Sequence, residues 1–160
     1  MARPLLERHR HQRDLLACGM ADDRFSVRAH VSAMDHADVV QQAMEAWLGE
    51  VEVERSAYAS HAGPTMLTLS VDLRRKSDLR KAWAGIDEAA LNTLLVEVND
   101  RLDDEGGLHF RIDLDGLVAG RVVLAPPGAP RSVKVRCKVA VYPGQTAEER
   151  LGAMISAALA

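Results

Sequence analysis

The sequence is short of rings. Two Trp, two Tyr and two Phe in 160 residues leave little from which to build a stacking platform for bases or a clamp for a flat cofactor. It is also short of cysteine. Cys18 and Cys137 lie far apart and in no metal-type spacing, which argues against a disulfide framework or a thiolate zinc site and favours a reducing cytoplasm. No run approaches the ~20 apolar residues of a membrane span. There is no global excess of basic charge either. The 20 Lys and Arg face 23 Asp and Glu, for a net charge of −3, so the whole-chain balance does not advertise nucleic-acid binding. Gly-x-Ser-x-Gly, the Walker loop and the Gly-rich dinucleotide fingerprint are all missing. Those absences point to a protein without a cofactor and without catalysis.

What is present is aliphatic. The chain has 19 Leu, 16 Val and 24 Ala, enough for one core in one domain over residues 21–160. Residues 1–20 read as a separate basic arm or helix. Pro4 suits a helix start and Gly19 a stop, but the middle is dominated by Arg8, His9, Arg10, His11 and Arg13.

The rest of the chain alternates between two periodicities. Phe25, Val27, Ala29 and Val31 point one way and Ser26, Arg28 and His30 the other, the pattern of a half-buried strand. Asp35 offers a cap for a helix carrying Val40, Met44, Trp47 and Leu48, which Gly49 ends. Val51 to Ala59 is a polar strand suited to a sheet edge. Leu67, Leu69, Val71 and Leu73 mark the next strand. Ser77 then caps a long helix to about Asp103, bent near Gly85. Leu108 to Leu114 alternates again, and Asp115-Gly116 predicts a tight hairpin into a strand over 117–124. Val133 to Val141 is the last strand, and Thr146 with Glu149 forms a capping box for a closing helix. The predicted fold is α+β. A mainly antiparallel sheet carries helices on one face, in the β-α-β-β-α-β order of ferredoxin-like folds, extended by two strands and a C-terminal helix.

Charge-bearing clusters are few. His30, Asp35, His36 and Asp38 are the densest group of metal-type residues, and a solvated strand-to-helix corner accounts for them. The strand face Lys134, Arg136 and Lys138, with Arg131 nearby, is a row of like charges that repels itself unless carboxylates or a partner face it. The acidic stretch Glu97, Asp100, Asp103, Asp104, Glu105, Asp113 and Asp115 could supply that match. Phe25 and Phe110 fall on core faces, which weakens the case for base stacking.

From about Asp87 to Ala160 the chain resembles type III secretion chaperone-like domains. A helix ends in Val-Asn-Asp-Arg-Leu (98–102), an alternating strand carries Asp-Gly at 115–116, and a capped amphipathic helix starts at Thr146. The resemblance implies a small dimeric module that binds partner segments and has no catalytic residue. The leading expectation is therefore a cytoplasmic protein-interaction module, a chaperone, adaptor or assembly subunit, working as a homo-oligomer. The alternative is a nucleic-acid-associated protein using the arm and the basic strand 131–138. A small-molecule-sensing domain is a further alternative. The candidate contact residues are Arg8, Arg10, Arg13, Arg131, Lys134, Arg136 and Lys138.

Overall fold

The computed structural model describes residues 23–32, 36–59, 61, 63 and 65–160. The arm, with Arg8, Arg10 and Arg13, and the predicted cap Asp35 lie outside these residues. Strand β1 (Arg24–Ser32) is followed by helix α1 (Ala37–Leu48), β2 (Glu54–Ala59) and β3 (Thr65–Leu73). Then come α2 (Lys76–Ala84), α3 (Glu88–Glu97), β4 (Gly107–Asp113), the short α4 (Leu114–Val118), β5 (Ser132–Lys138) and α5 (Ala147–Leu159). The five strands make one sheet in the order β2-β3-β1-β5-β4, with every neighbouring pair antiparallel.

The predicted α+β class and the ferredoxin-like start both hold. β1-α1-β2-β3 is a split unit in which β3 enters between β1 and β2. On the other side of β1 sits β5, and β4 is added outside it. The described helices cover one face, because alternation buries Phe25, Val27, Ala29 and Val31 on β1 and Val133, Val135 and Cys137 on β5. Phe25 stands at the centre. It makes edge contacts with Trp47, Trp83 and Phe110 at ring-centroid distances of 5.9, 5.5 and 6.4 Å. Four of the six rings thus sit in one core cluster, and Tyr58 and Tyr142 are exposed.

Three local expectations are corrected. The long helix 78–103 is two helices and a 3-10 turn. Trp47 donates from Nε1 to the Ala82 carbonyl at 2.9 Å, and its ring lies against Gly85, where a Cβ would come within 2.7 Å of Trp47 Cδ1. The helix ends there, and the Asp87 N–H bonds to the Val122 carbonyl instead of to a preceding turn. Ser77 is not the cap, since α2 begins one residue earlier with Arg75 in the capping position.

The third correction is the hairpin. Asp115-Gly116 lies inside α4, and Asp113 caps that helix by accepting from the Gly116 N–H at 3.1 Å. Gly116 is not in the left-handed conformation a two-residue hairpin needs. It is small because Val123 Cγ2 and the Arg121 carbonyl lie 3.0 and 3.3 Å from where its Cβ would be. The chain returns after a turn at Gly120 and lays residues 122–125 along the outer edge of β4, with one bridge, Ile112 to Leu124. That segment shields β4. The other edge strand, β2, is exposed along its whole length, as its polar sequence predicts. Thr146 caps α5 by accepting from the Glu149 N–H.

Candidate nucleic-acid interface

Among the described residues no element covers the sheet face opposite the helices, and register decides what it displays. Residues directly opposite in antiparallel strands bring their Cβ atoms to about 5 Å. Lys134 on β5 lies opposite Arg28 on β1 and opposite Arg111 on β4. Three cations therefore stand in one line across three adjacent strands. Arg28 and Lys134 are exposed and have no carboxylate partner among the described residues. Arg111 donates to the Ser132 hydroxyl at 3.2 Å. The arrangement costs stability, since like charges opposite one another repel.

The neighbouring cations are differently placed. Arg136 donates to Asp103 at 3.0 Å and to Glu105 at 3.1 Å, and Lys138 lies 3.9 Å from Glu105. Gly107 makes room for this, because a Cβ there would come within 2.7 Å of the Arg136 guanidinium. Asp103 also accepts from the backbone N–H groups of Glu105 and Gly107, and His109 Nε2 lies 2.6 Å from it. Burial pushes the Asp103 carboxyl up, but these donors outweigh it and hold it well below the usual carboxylate range. Arg24 grips Asp72 through two contacts of 2.7 Å, and that guanidinium holds Asp72 low as well. The predicted acidic match thus exists for Arg136 and Lys138, and it stops short of Lys134.

Arg131 stands just before β5, and its carbonyl accepts from the Leu114 N–H. His30 and Asp38 do not meet. Asp38 pairs with Arg55 at 2.6 Å, while His30 Nδ1 lies 3.1 Å from the Thr68 hydroxyl and 3.4 Å from Tyr58 Oη. The His30 and Tyr58 rings are perpendicular at 6.0 Å. Burial, then the charges of Lys134 and Arg28, push the His30 pKa down. The face forms a concavity of about 890 Å³ whose floor includes Arg28, Lys134, Ser26 and Ser70 and whose far rim carries Glu50, Glu52 and Glu54.

A family model described as RNA binding matches residues 24–139, the whole sheet from β1 to just past β5. The chain belongs to this RNA-binding family. The match overturns the resemblance to type III secretion chaperone-like domains, and with it the leading expectation of a protein-interaction module with chaperone or assembly roles. The structural reason is plain. The resemblance rested on a helix ending in 98–102, a strand carrying Asp-Gly at 115–116 and a capped helix from Thr146; the capped helix is present, but the earlier helix ends at Glu97 before a 3-10 turn and Asp115-Gly116 lies in the helix Leu114–Val118.

Solved structures agree on the fold. A DUF54 protein of Archaeglobus fulgidus aligns with a TM-score of 0.71 at 25% identity, over 84% of this chain and 99% of that one. A DUF54 protein of Methanothermobacter thermautotrophicus gives 0.66 at 22% identity, over 82% and 96%. One from Sulfolobus solfataricus gives 0.64 at 15% identity, over 84% and 98%. No curated protein matches the chain.

Sequence reasoning missed Arg28 and Arg111 as members of the site. Their signal was present as parity: each occupies the outward position of an alternating strand. What linear sequence lacks is the register that aligns them with Lys134.

Proposed function

We propose that the protein binds RNA on the open face of its sheet, with Arg28, Lys134 and Arg111 contacting consecutive phosphates. The observation that carries this is the line of three cations across β1, β5 and β4, none of them with a carboxylate partner among the described residues. The RNA-binding family match over 24–139 supports the same ligand. Arg131, at the entry to β5, and the arm residues Arg8, Arg10 and Arg13 are proposed to add to the footprint. Arg136 and Lys138 contribute less, because Asp103 and Glu105 already neutralise them. The protein acts here as a binder that performs no covalent chemistry, in the cytoplasm where RNA is abundant. No helix among the described residues is long and apolar enough to cross a membrane.

Counterion release makes the reading quantitative. Three contacts to a single strand give a slope of about −2 in log affinity against log salt, or about twentyfold between ~50 and ~200 mM. In the double variant Arg28→Gln, Lys134→Gln the slope falls to about −0.7, about threefold over the same interval. Fluorescence anisotropy of a labelled RNA at several salt concentrations measures both. An unchanged slope in the double variant would remove the open face from the binding site.

A further inference from the structure

The open face is not uniform, and its asymmetry says what kind of RNA it fits. In the row of Arg111, Lys134 and Arg28, the next positions across β3 and β2 are Ser70 and Glu54. Glu54 stands on the rim with Glu50 and Glu52. A phosphate chain that continued straight along this row would meet Glu54, and Glu50 and Glu52 line the same concavity. The neighbouring rows lead elsewhere. Beyond Arg28 on β1 comes His30, opposite Thr68, and Thr68 lies opposite Ser56 on β2. The next row holds Ser32, Met66 and Tyr58. Among the described residues these two rows hold no acid, and they contain the one Phe, Tyr or Trp side chain that the open face displays.

Tyr58 is 42% exposed. The other rings of the sheet and helix layers, Phe25, Trp47, Trp83 and Phe110, are spent in the core. An exposed Tyr on an edge strand, with a His ring perpendicular to it and Met66 opposite it in the ladder, offers a semi-apolar surface next to the cation row. Every base has a π-face that such a ring can stack on, but only when the base is unpaired. A base-paired helix presents backbone to the sheet and keeps its π-faces in its own stack.

Resting on the RNA-binding reading above, we infer that Tyr58 is a base-stacking subsite and that the ligand is RNA with an unpaired segment. The strand crosses β4, β5 and β1 with its phosphates over Arg111, Lys134 and Arg28. It then turns away from Glu54 and places a base on Tyr58. His30 and Thr68 line the passage between the two subsites, and their polar atoms face the turning backbone.

The test compares a labelled single-stranded RNA lacking self-complementarity with the blunt duplex made from it and its complement. The parent protein binds the single strand more tightly than the duplex. Tyr58→Ala weakens single-strand binding about five- to a hundredfold, the effect of one lost stacking contact, and leaves duplex binding within about twofold. Tyr58→Phe keeps the ring and binds the single strand within about twofold of the parent. Tyr58 is exposed on an edge strand, so both variants keep the fold. A Tyr58→Ala protein that binds the single strand as the parent does, or that loses single strand and duplex equally, overturns the stacking subsite. If in that case Arg28→Gln, Lys134→Gln still weakens binding and lowers the salt slope, the phosphate row stands and only the subsite falls. A parent protein that binds neither RNA overturns both readings.

Discussion

Neutralising Lys134 should move stability and affinity in opposite directions. Lys134 is the middle cation of its row, with Arg28 on one side and Arg111 on the other. A like-charge pair directly across an antiparallel ladder costs about 0.2–1 kcal/mol, and exposure to solvent keeps each pair at the lower end. Lys134→Gln relieves two such pairs. It should stabilise the fold by about 0.4–0.6 kcal/mol, which for a chain of this length raises Tm by about 1–2 °C. The gain shrinks in high salt, because at ~1 M the screening length falls to about 3 Å, shorter than the pair separation. Affinity for single-stranded RNA falls about fivefold at ~0.1 M salt, the counterion-release value of one phosphate contact. Thermal denaturation and anisotropy in the same buffer read both effects. Arg136→Gln is the control. It strips Asp103 and Glu105 of a partner, so it should lower Tm and leave the salt slope nearly unchanged. A Lys134→Gln protein that melts lower than the parent refutes the repulsion argument. One that melts higher and binds RNA equally well refutes the assignment of Lys134 to the interface.

Other outcomes follow from the same geometry. Asp103→Asn removes the charged acceptor of four donors and should destabilise the protein by about 1–3 kcal/mol in chemical denaturation. Because the folded carboxyl is depressed, its contribution is full above the ordinary pKa of about 4 and fades as pH falls through the folded value, so the variant should show a flatter acid limb of Tm against pH. His30 is pushed down by burial and by Lys134 and Arg28. Its neutral form in the fold stabilises above about pH 6.5, and that contribution is lost as pH drops below. The His30 ring signal in an NMR titration should move to higher pH in Lys134→Gln, and no movement would show that the row does not act on His30. Burial pushes the Cys137 thiol up to about 12, so in a Cys18→Ser chain a thiol reagent at neutral pH should label Cys137 only as fast as the protein opens. Rapid labelling of the native state would contradict the buried placement.

Much of the fold is legible in the sequence because it is written in period-two alternation. Phe25 to Val31 and Val133 to Cys137 give both the strand and its buried face, and the structure keeps that parity. Elements defined by a turn residue were harder. Asp-Gly has two uses, as a hairpin corner and as the start of a capped helix, and the choice depends on whether Gly116 packs against Val123 and Arg121. Those contacts are tertiary, and no local pattern announces them. The break at Gly85 is similar, since the residue that enforces it is Trp47, 38 positions earlier. The candidate contact residues divide along the same line. Lys134, Arg136 and Lys138 share a face by parity alone, which sequence shows. That Arg136 is tied by Asp103, while Lys134 lies between two arginines, depends on register and on the loop before β4.

The net charge of −3 misled for a physical reason. At physiological ionic strength charges are screened beyond about 8 Å, so a bound phosphate responds to the few groups beneath it and hardly to the sum over the chain. The sum here mixes separate surfaces. Glu88, Glu97, Glu148 and Glu149 belong to α3 and α5, which lie on the covered side of the sheet. Glu50, Glu52 and Glu54 form one rim of the open side. The cation row stands apart from both. A chain selected only for stability would place an acid or a neutral residue at position 134, between two arginines. A lysine there raises the energy of the free protein, and an anion laid across Arg28, Lys134 and Arg111 relieves all the repulsion at once. In the proposed complex the free energy stored in that row is released on binding, which lets three modest contacts act together. It also predicts non-additivity: once Lys134 is neutral, losing Arg28 should cost less affinity than losing Arg28 from the parent, and strict additivity in the double-mutant cycle would argue that the three groups do not share one ligand.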